Sequence, residues 1–361
     1  MAAVLAVAGF AFWWIAPYNI AARVPHWPPV RALLHSYMNN AVRSHSQGAR
    51  PPAYLHPDDP AVIRLGAGHF LTGCATCHGS PERRPSPITG MMQPHPPELS
   101  GTRPRPLREL YWLTYNGLKY TGMPGWAGAG REDEAWAVAA FLARLPGMDA
   151  ATFRELAHGG LLPPAADAEE GAAIAFGQPT GPLATEQSCA RCHGLDGRGR
   201  DGTAPRLAGQ SPAHLRRALD LYAGDRRQSG IMEPIAAALT PPEREALARH
   251  FAGLPGNWPA SPAAIPGDPQ RGAMLAARGD SSRGIGACRG CHGQPGNAAP
   301  RIEGQHGRFL AAWLHLWREG PQTPGPEAAR MAAAVRGLTD RDIADLAAHF
   351  AHAADGRPAL P

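Results

Sequence analysis

The chain opens on one long apolar run and then settles into segments whose apolar positions recur at helical spacing. Residues 1–22 carry no charged side chain, and Ala2 to Ala16 are uninterrupted apolar or small residues with Trp13 and Trp14 near the end. A helix of about 20 residues spans roughly 30 Å, so this run predicts a membrane crossing only if it continues through Pro17 to Ala22. Further on, Trp136, Ala140 and Phe141, then Leu247 and Phe251, then Ile343, Leu346 and Phe350 mark three amphipathic helices. Acidic residues open each of them, as the positive end of a helix dipole favours, and the pairs Asp133–Glu134 and Glu169–Glu170 read as helix-start charge of this kind. The last two segments share a register: Met232 to Phe251 and Met331 to Phe350 are both 19 residues, and Leu239-Thr240 matches Leu338-Thr339. Proline-rich stretches at 151–164 and 258–268 read as stiff linkers.

A length of 361 residues predicts two or three domains. Gly 42 and Pro 39 are high for a packed core, which suggests that something besides side chains helps to fill it. The formal charge of +5 is not spread evenly: residues 1–56 hold four Arg and no acid, whereas 57–150 balance at nine and nine. That placement favours anionic lipid beside the apolar run as the partner and argues against nucleic acid. The N-terminal run therefore reads as a retained anchor in contact with membrane lipid. The alternative, a cleaved secretory leader, lacks a basic start and an A-x-A site. His26, His35 and His45 lack ligand spacing and read as part of a surface stalk.

The six cysteines form three pairs, each followed at once by histidine: Cys74-Ala-Thr-Cys77-His78, Cys189-Ala-Arg-Cys192-His193 and Cys288-Arg-Gly-Cys291-His292. C-x-x-C-H is the attachment signature of c-type haem, in which two thiols tether the porphyrin and the histidine ligates iron. Three copies that absorb every cysteine favour haem over zinc, structural disulfides or a thioredoxin-like pair. After each motif comes P-x-[L/I]-x-G, at Pro97 to Gly101, Pro205 to Gly209 and Pro300 to Gly304. A methionine follows each: Met123, Met232 and Met331 lie 45, 39 and 39 residues past their histidines. Met91 and Met92 compete with Met123, though they precede Pro97. Met331 also fits a plain helix with a buried methionine, with His306 and His315 as fallback ligands.

These residues resemble the class I c-type cytochromes over nearly everything after residue 57. The resemblance implies an all-α chain of three tandem cytochrome modules at 57–150, 165–257 and 269–361. Ahead of them it places a transmembrane anchor at 1–22 and a juxtamembrane stalk at 23–56. Leading helices would run Ala61 to Cys74, Glu169 to Phe176 and Pro269 to Ala277, and closing helices Glu132 to Leu145, Pro242 to Leu254 and Asp340 to Ala351. It further implies three covalently bound haem c groups. The carbonyls of Pro97, Pro205 and Pro300 would accept the N–H of the haem histidines. Iron would sit between His78 and Met123, His193 and Met232, and His292 and Met331. Units two and three resemble the di-haem cytochrome c4 arrangement, and the whole chain is similar to three-haem cytochrome subunits of respiratory dehydrogenases. The function so implied is electron relay in the periplasm from the bacterial inner membrane, not enzymatic catalysis. Its redox partners would be a dehydrogenase or quinol-oxidising complex on one side and a terminal oxidase or soluble cytochrome on the other. The alternative is a peroxidase-like or nitrogen-oxide-reducing haem enzyme with one vacant axial site.

Overall fold

The computed structural model describes residues 1–159, 189–200, 202–258, 266–292 and 299–352. Among these the chain is all-α, with no β-strand. The expected leading helix at Glu169 to Phe176 lies outside the described residues, as do most of the 258–268 linker and the end of the 151–164 linker.

The N-terminal apolar run forms a helix only over Ala2–Ile15, 14 residues or about 21 Å. Ala16 turns left-handed at φ 47° and Pro17 follows, so the continuation to Ala22 does not form. No helix among the described residues is long and apolar enough to cross a membrane, which overturns the expected single-pass anchor. The next helix, Pro28–His45, has the length, but Arg31, His35, Arg43 and His45 interrupt it. It packs on the first unit: His45 stacks on Trp112, and Arg105 donates to the Asn39 carboxamide at 2.5 Å. The segment read as a stalk is thus partly a docked helix.

In the first unit, Asp59 caps the leading helix Pro60–His69 by accepting from the Ala61 amide, and Pro60 occupies the first turn, where no amide donor is needed. The chain continues through a π turn, Phe70–Cys74, into the motif helix Ala75–His78. The closing helix Glu132–Leu142 crosses the leading helix at Gly66, where a Cβ would fall inside the Ala137 carbonyl. The third unit repeats this crossing: a Cβ on Gly272 of Pro269–Arg278 would collide with the carbonyl of Asp345 in Asp340–His352. Around the first crossing, Phe70, Phe141 and Phe153 form a buried aromatic cluster, and Tyr111 stacks flat on Trp136 at 4.0 Å. Each such aromatic contributes about 1.5–3 kcal/mol on burial. Phe153 belongs to a helix, Ala150–His158, where the sequence suggested the start of a linker.

The second and third units close on matching helices, Pro241–Gly253 and Asp340–His352. Thr240 with Glu243, and Thr339 with Asp342, make the same reciprocal cap at their starts. Phe251 and Phe350 are buried at equivalent positions of the two cores.

The units touch one another. Tyr54 stacks on His315 at 4.3 Å, and Arg308 pairs with Asp59 at 2.7 Å. Trp313 of the third unit lies under two guanidinium groups, Arg131 of the first at 5.2 Å and Arg227 of the second at 4.2 Å.

Candidate haem sites

Each C-x-x-C-H motif lies on a short helical turn that aims its histidine at the P-x-[L/I]-x-G turn of its own unit. The Nδ1 atoms of His78, His193 and His292 lie 2.9, 2.9 and 2.8 Å from the carbonyl oxygens of Pro97, Pro205 and Pro300. A carbonyl only accepts, so Nδ1 carries the proton and donates, and Nε2 is left with its lone pair. That tautomer and orientation are what an imidazole needs to ligate a metal through Nε2. Burial pulls the His78 and His193 pKa values below the ordinary histidine range, against the opposing effect of the proline carbonyl bond, which keeps both rings neutral near pH 7.

The first cysteine of each motif and the aliphatic residue of each P-x-[L/I]-x-G turn share one apolar wall. Cys74 and Leu99 pack on the cluster of Phe70 and Phe141, Cys189 and Leu207 on that of Leu247 and Phe251, and Cys288 and Ile302 on that of Leu346 and Phe350. In every unit both groups are only partly buried. Burial pushes the Cys74 thiol up to about 12 and the Cys288 thiol up to about 11. No group of three or more His, Cys, Asp or Glu side chains gathers as a metal cluster among the described residues. The residues fit a haem c: two tethering thiols, an oriented imidazole and a half-covered apolar wall to receive the ring, three times over.

The methionines stand in three settings. Met123 is half-buried in a loop, its amide donating to Thr121 Oγ1 at 3.1 Å. Met92 lies against Gly122, so the structure brings this competitor to the same loop, whereas Met91 is exposed. Met232 opens the helix Met232–Ala238. Met331 lies within the helix Pro326–Val335, at the edge of the cluster that also holds Cys288 and Ile302. The fallback histidines are used between units: His306 Nε2 donates to the Arg198 carbonyl at 2.8 Å, and His315 faces Tyr54.

Two further features escaped the sequence reading. Gln210 and Gln305, each directly after its P-x-[L/I]-x-G turn, bond reciprocally across units two and three. Gln305 accepts from the Arg206 amide at 2.9 Å and donates to the Arg206 carbonyl at 3.1 Å. Gln210 does the same to Arg301, at 3.0 and 2.8 Å. Both arginines also flank the fully buried Trp258. The repeated glutamine one residue beyond each glycine was the available signal. The other feature is Glu134, which is buried in the first unit and bonded to the second.

Comparison with known proteins finds c-type cytochromes. The family model for the cbb3-type cytochrome c oxidase subunit III matches residues 61–142, and that for cytochrome c matches residues 180–253. The thiosulfate dehydrogenase electron acceptor of Stutzerimonas stutzeri is 34% identical over 46% of this chain and 78% of its own length. Cytochrome c4 of Thiocapsa roseopersicina is 32% identical over 49% of this chain and 94% of its own. The solved thiosulfate dehydrogenase of Marichromatium purpuratum superposes on 51% of this chain and 39% of its own, with 34% identity and a TM-score of 0.42.

Proposed function

The chain belongs to the class I c-type cytochromes, and from that premise we propose that it is a three-haem electron carrier receiving electrons from a dehydrogenase. The observation that carries the reading is the histidine-to-proline bond, made at 2.9, 2.9 and 2.8 Å in three successive units. Six thiols, Cys74, Cys77, Cys189, Cys192, Cys288 and Cys291, would tether three haem groups, and His78, His193 and His292 together with Met123, Met232 and Met331 would hold their irons. When bound, the haem supplies an iron that cycles between ferric and ferrous states.

The protein's part is to hold that iron in a fixed ligand field, so that little rearranges as the electron arrives and leaves. The prolines of the P-x-[L/I]-x-G turns fix the imidazole plane, and thioether ligation favours the ferrous state and raises the potential. A histidine and a methionine holding each iron would leave it no site for substrate, which is the arrangement of an electron conduit. The likeness to thiosulfate dehydrogenase electron acceptors supports a dehydrogenase as donor; the acceptor would be a terminal oxidase or a soluble cytochrome.

Redox titration of the holoprotein tests this. The wild type is expected to contain three haems per chain, low-spin and slow to bind carbon monoxide. Met123→Ala, Met232→Ala and Met331→Ala are each expected to lower one midpoint potential, and an unchanged spectrum for any one removes that ligand assignment. Co-purification with a dehydrogenase, followed by reduction on addition of its substrate, identifies the donor.

A further inference from the structure

We propose that Glu134 is a positioning residue that holds the distal methionine loops of the first and second haem sites on a single buried carboxylate. This rests on the reading of Met123 and Met232 as axial ligands. Glu134 stands in the first turn of the closing helix Glu132–Leu142, a place where an acid is ordinarily a solvated complement to the helix dipole. Here it is 2 % exposed. Its oxygens take bonds from two loops of two units. Oε2 accepts from the indole Nε1 of Trp126 at 3.2 Å, and Trp126 is the third residue after Met123. Oε1 accepts from the Ser229 hydroxyl at 2.7 Å, and Oε2 from the Gly230 amide at 2.8 Å; Ser229 is the third residue before Met232. Arg131 closes the set with an ion pair to Oε1 at 2.8 Å.

The connection reaches the second methionine itself. While its O–H donates to Glu134, Ser229 Oγ accepts from the backbone amide of Met232 at 3.1 Å. On the other side, the Trp126 amide donates to the Tyr115 carbonyl at 2.8 Å, and the Leu118 amide to the Met123 carbonyl at 3.1 Å, so indole and methionine belong to one hydrogen-bonded loop. Gly230 permits the closeness, since a Cβ there would enter the Trp126 ring. Arg131 adds a bond to the Gln228 carbonyl at 3.0 Å, and the Ala129 amide donates to the Gln228 side chain at 2.9 Å. Four donors converge on Glu134, so the group they suit is the ionised carboxylate, which only accepts. A buried carboxylate with every bond satisfied is costly to disturb, and both loops inherit that rigidity. The first and second sites are therefore tuned together, whereas among the described residues no hydrogen bond joins Glu134 to the Met331 segment, so the third is tuned apart from them.

The test is redox titration of the full-length holoprotein. Met123→Ala and Met232→Ala first assign two of the three midpoints; if neither moves one, the ligand reading falls and this proposal falls with it. Given those assignments, Glu134→Gln is expected to lower both midpoints and weaken the ferric methionine absorption band while leaving the third midpoint in place. A Gln amide presents its own N–H groups to donors, which breaks the set without changing its shape. Loss of thermal stability with both midpoints unmoved would show that Glu134 only glues the units together, and overturns the proposal. If Glu134→Gln does not accumulate, Trp126→Phe and Ser229→Ala decide: the first is expected to lower the Met123 midpoint alone and the second the Met232 midpoint alone. No shift in either variant overturns it.

Discussion

Asp342 shows how much one side chain holds in place. It is 3 % exposed, accepts from the Thr339 amide and hydroxyl at 2.9 and 2.7 Å, and pairs with Arg283 at 2.6 Å. Burial alone would raise its pKa, but Arg283 and Thr339 outweigh it and hold the carboxyl at about 2. Because this folded value lies below the usual one near 4, the contribution is complete above about pH 4 and is lost as the pH falls towards 2. Its size is on the order of 2 kcal/mol. Acid unfolding followed by circular dichroism is expected to show Asp342→Asn losing that amount at pH 7 and flattening the stability profile between pH 4 and 2. At this scale the sequence shows its chemistry well where a motif repeats. Cysteines, histidines and turn prolines can be read because the C-x-x-C-H and P-x-[L/I]-x-G patterns each occur three times, even though the histidine-to-proline gap varies from 19 to 12 to 8 residues. Glu134 cannot, because its role depends on Ser229 and Gly230, about 95 residues away, and no local pattern records such a contact.

Between elements, the crossing of leading and closing helices depends on a missing side chain. Gly272→Ala places a Cβ against the Asp345 carbonyl, where backbone must move, and overpacking of this kind costs about 1–3 kcal/mol. Gly253→Ala, in the last turn of its helix with open space around it, is the control expected to be neutral or slightly stabilising. Equal melting temperatures for the two variants would remove the crossing as the cause. The closing helices were legible almost to their ends, since apolar spacing and a first-turn acid both mark them. Less legible was Ala150–His158, because the Gly-Gly-Leu-Leu-Pro-Pro that follows suggested a linker, while Phe153 was in fact needed by the aromatic cluster of Phe70 and Phe141. The N-terminal run misled in the opposite sense. Its composition is apolar through Ala16, but a left-handed residue followed by Pro17 ends the helix at 14 residues, and composition says nothing about that stop.

For the whole molecule, contacts join each unit to the other two. Arg131 and Arg227 meet over Trp313, Tyr54 meets His315, and the reciprocal glutamines hold units two and three. Replacing both Gln210 and Gln305 by Leu leaves the Arg206 and Arg301 backbones without four hydrogen bonds, and buried unsatisfied groups cost about 1–3 kcal/mol each. Calorimetry is expected to resolve separate unfolding transitions for units two and three in this double variant, against a shared one in the parent. A single transition in both would show that other contacts carry the coupling.

Those two glutamines make one bond pattern in opposite directions, each gripping the other unit's arginine backbone. Such reciprocity is the geometry of an isologous contact, the form taken by two identical subunits related by a twofold axis. In a homodimer, any change at that glutamine would be felt twice, once in each direction. Joined in a single chain, the two halves are released from that constraint: Gln210 and Gln305 can be altered one at a time, and their surroundings have already diverged while the handshake between them stays symmetric.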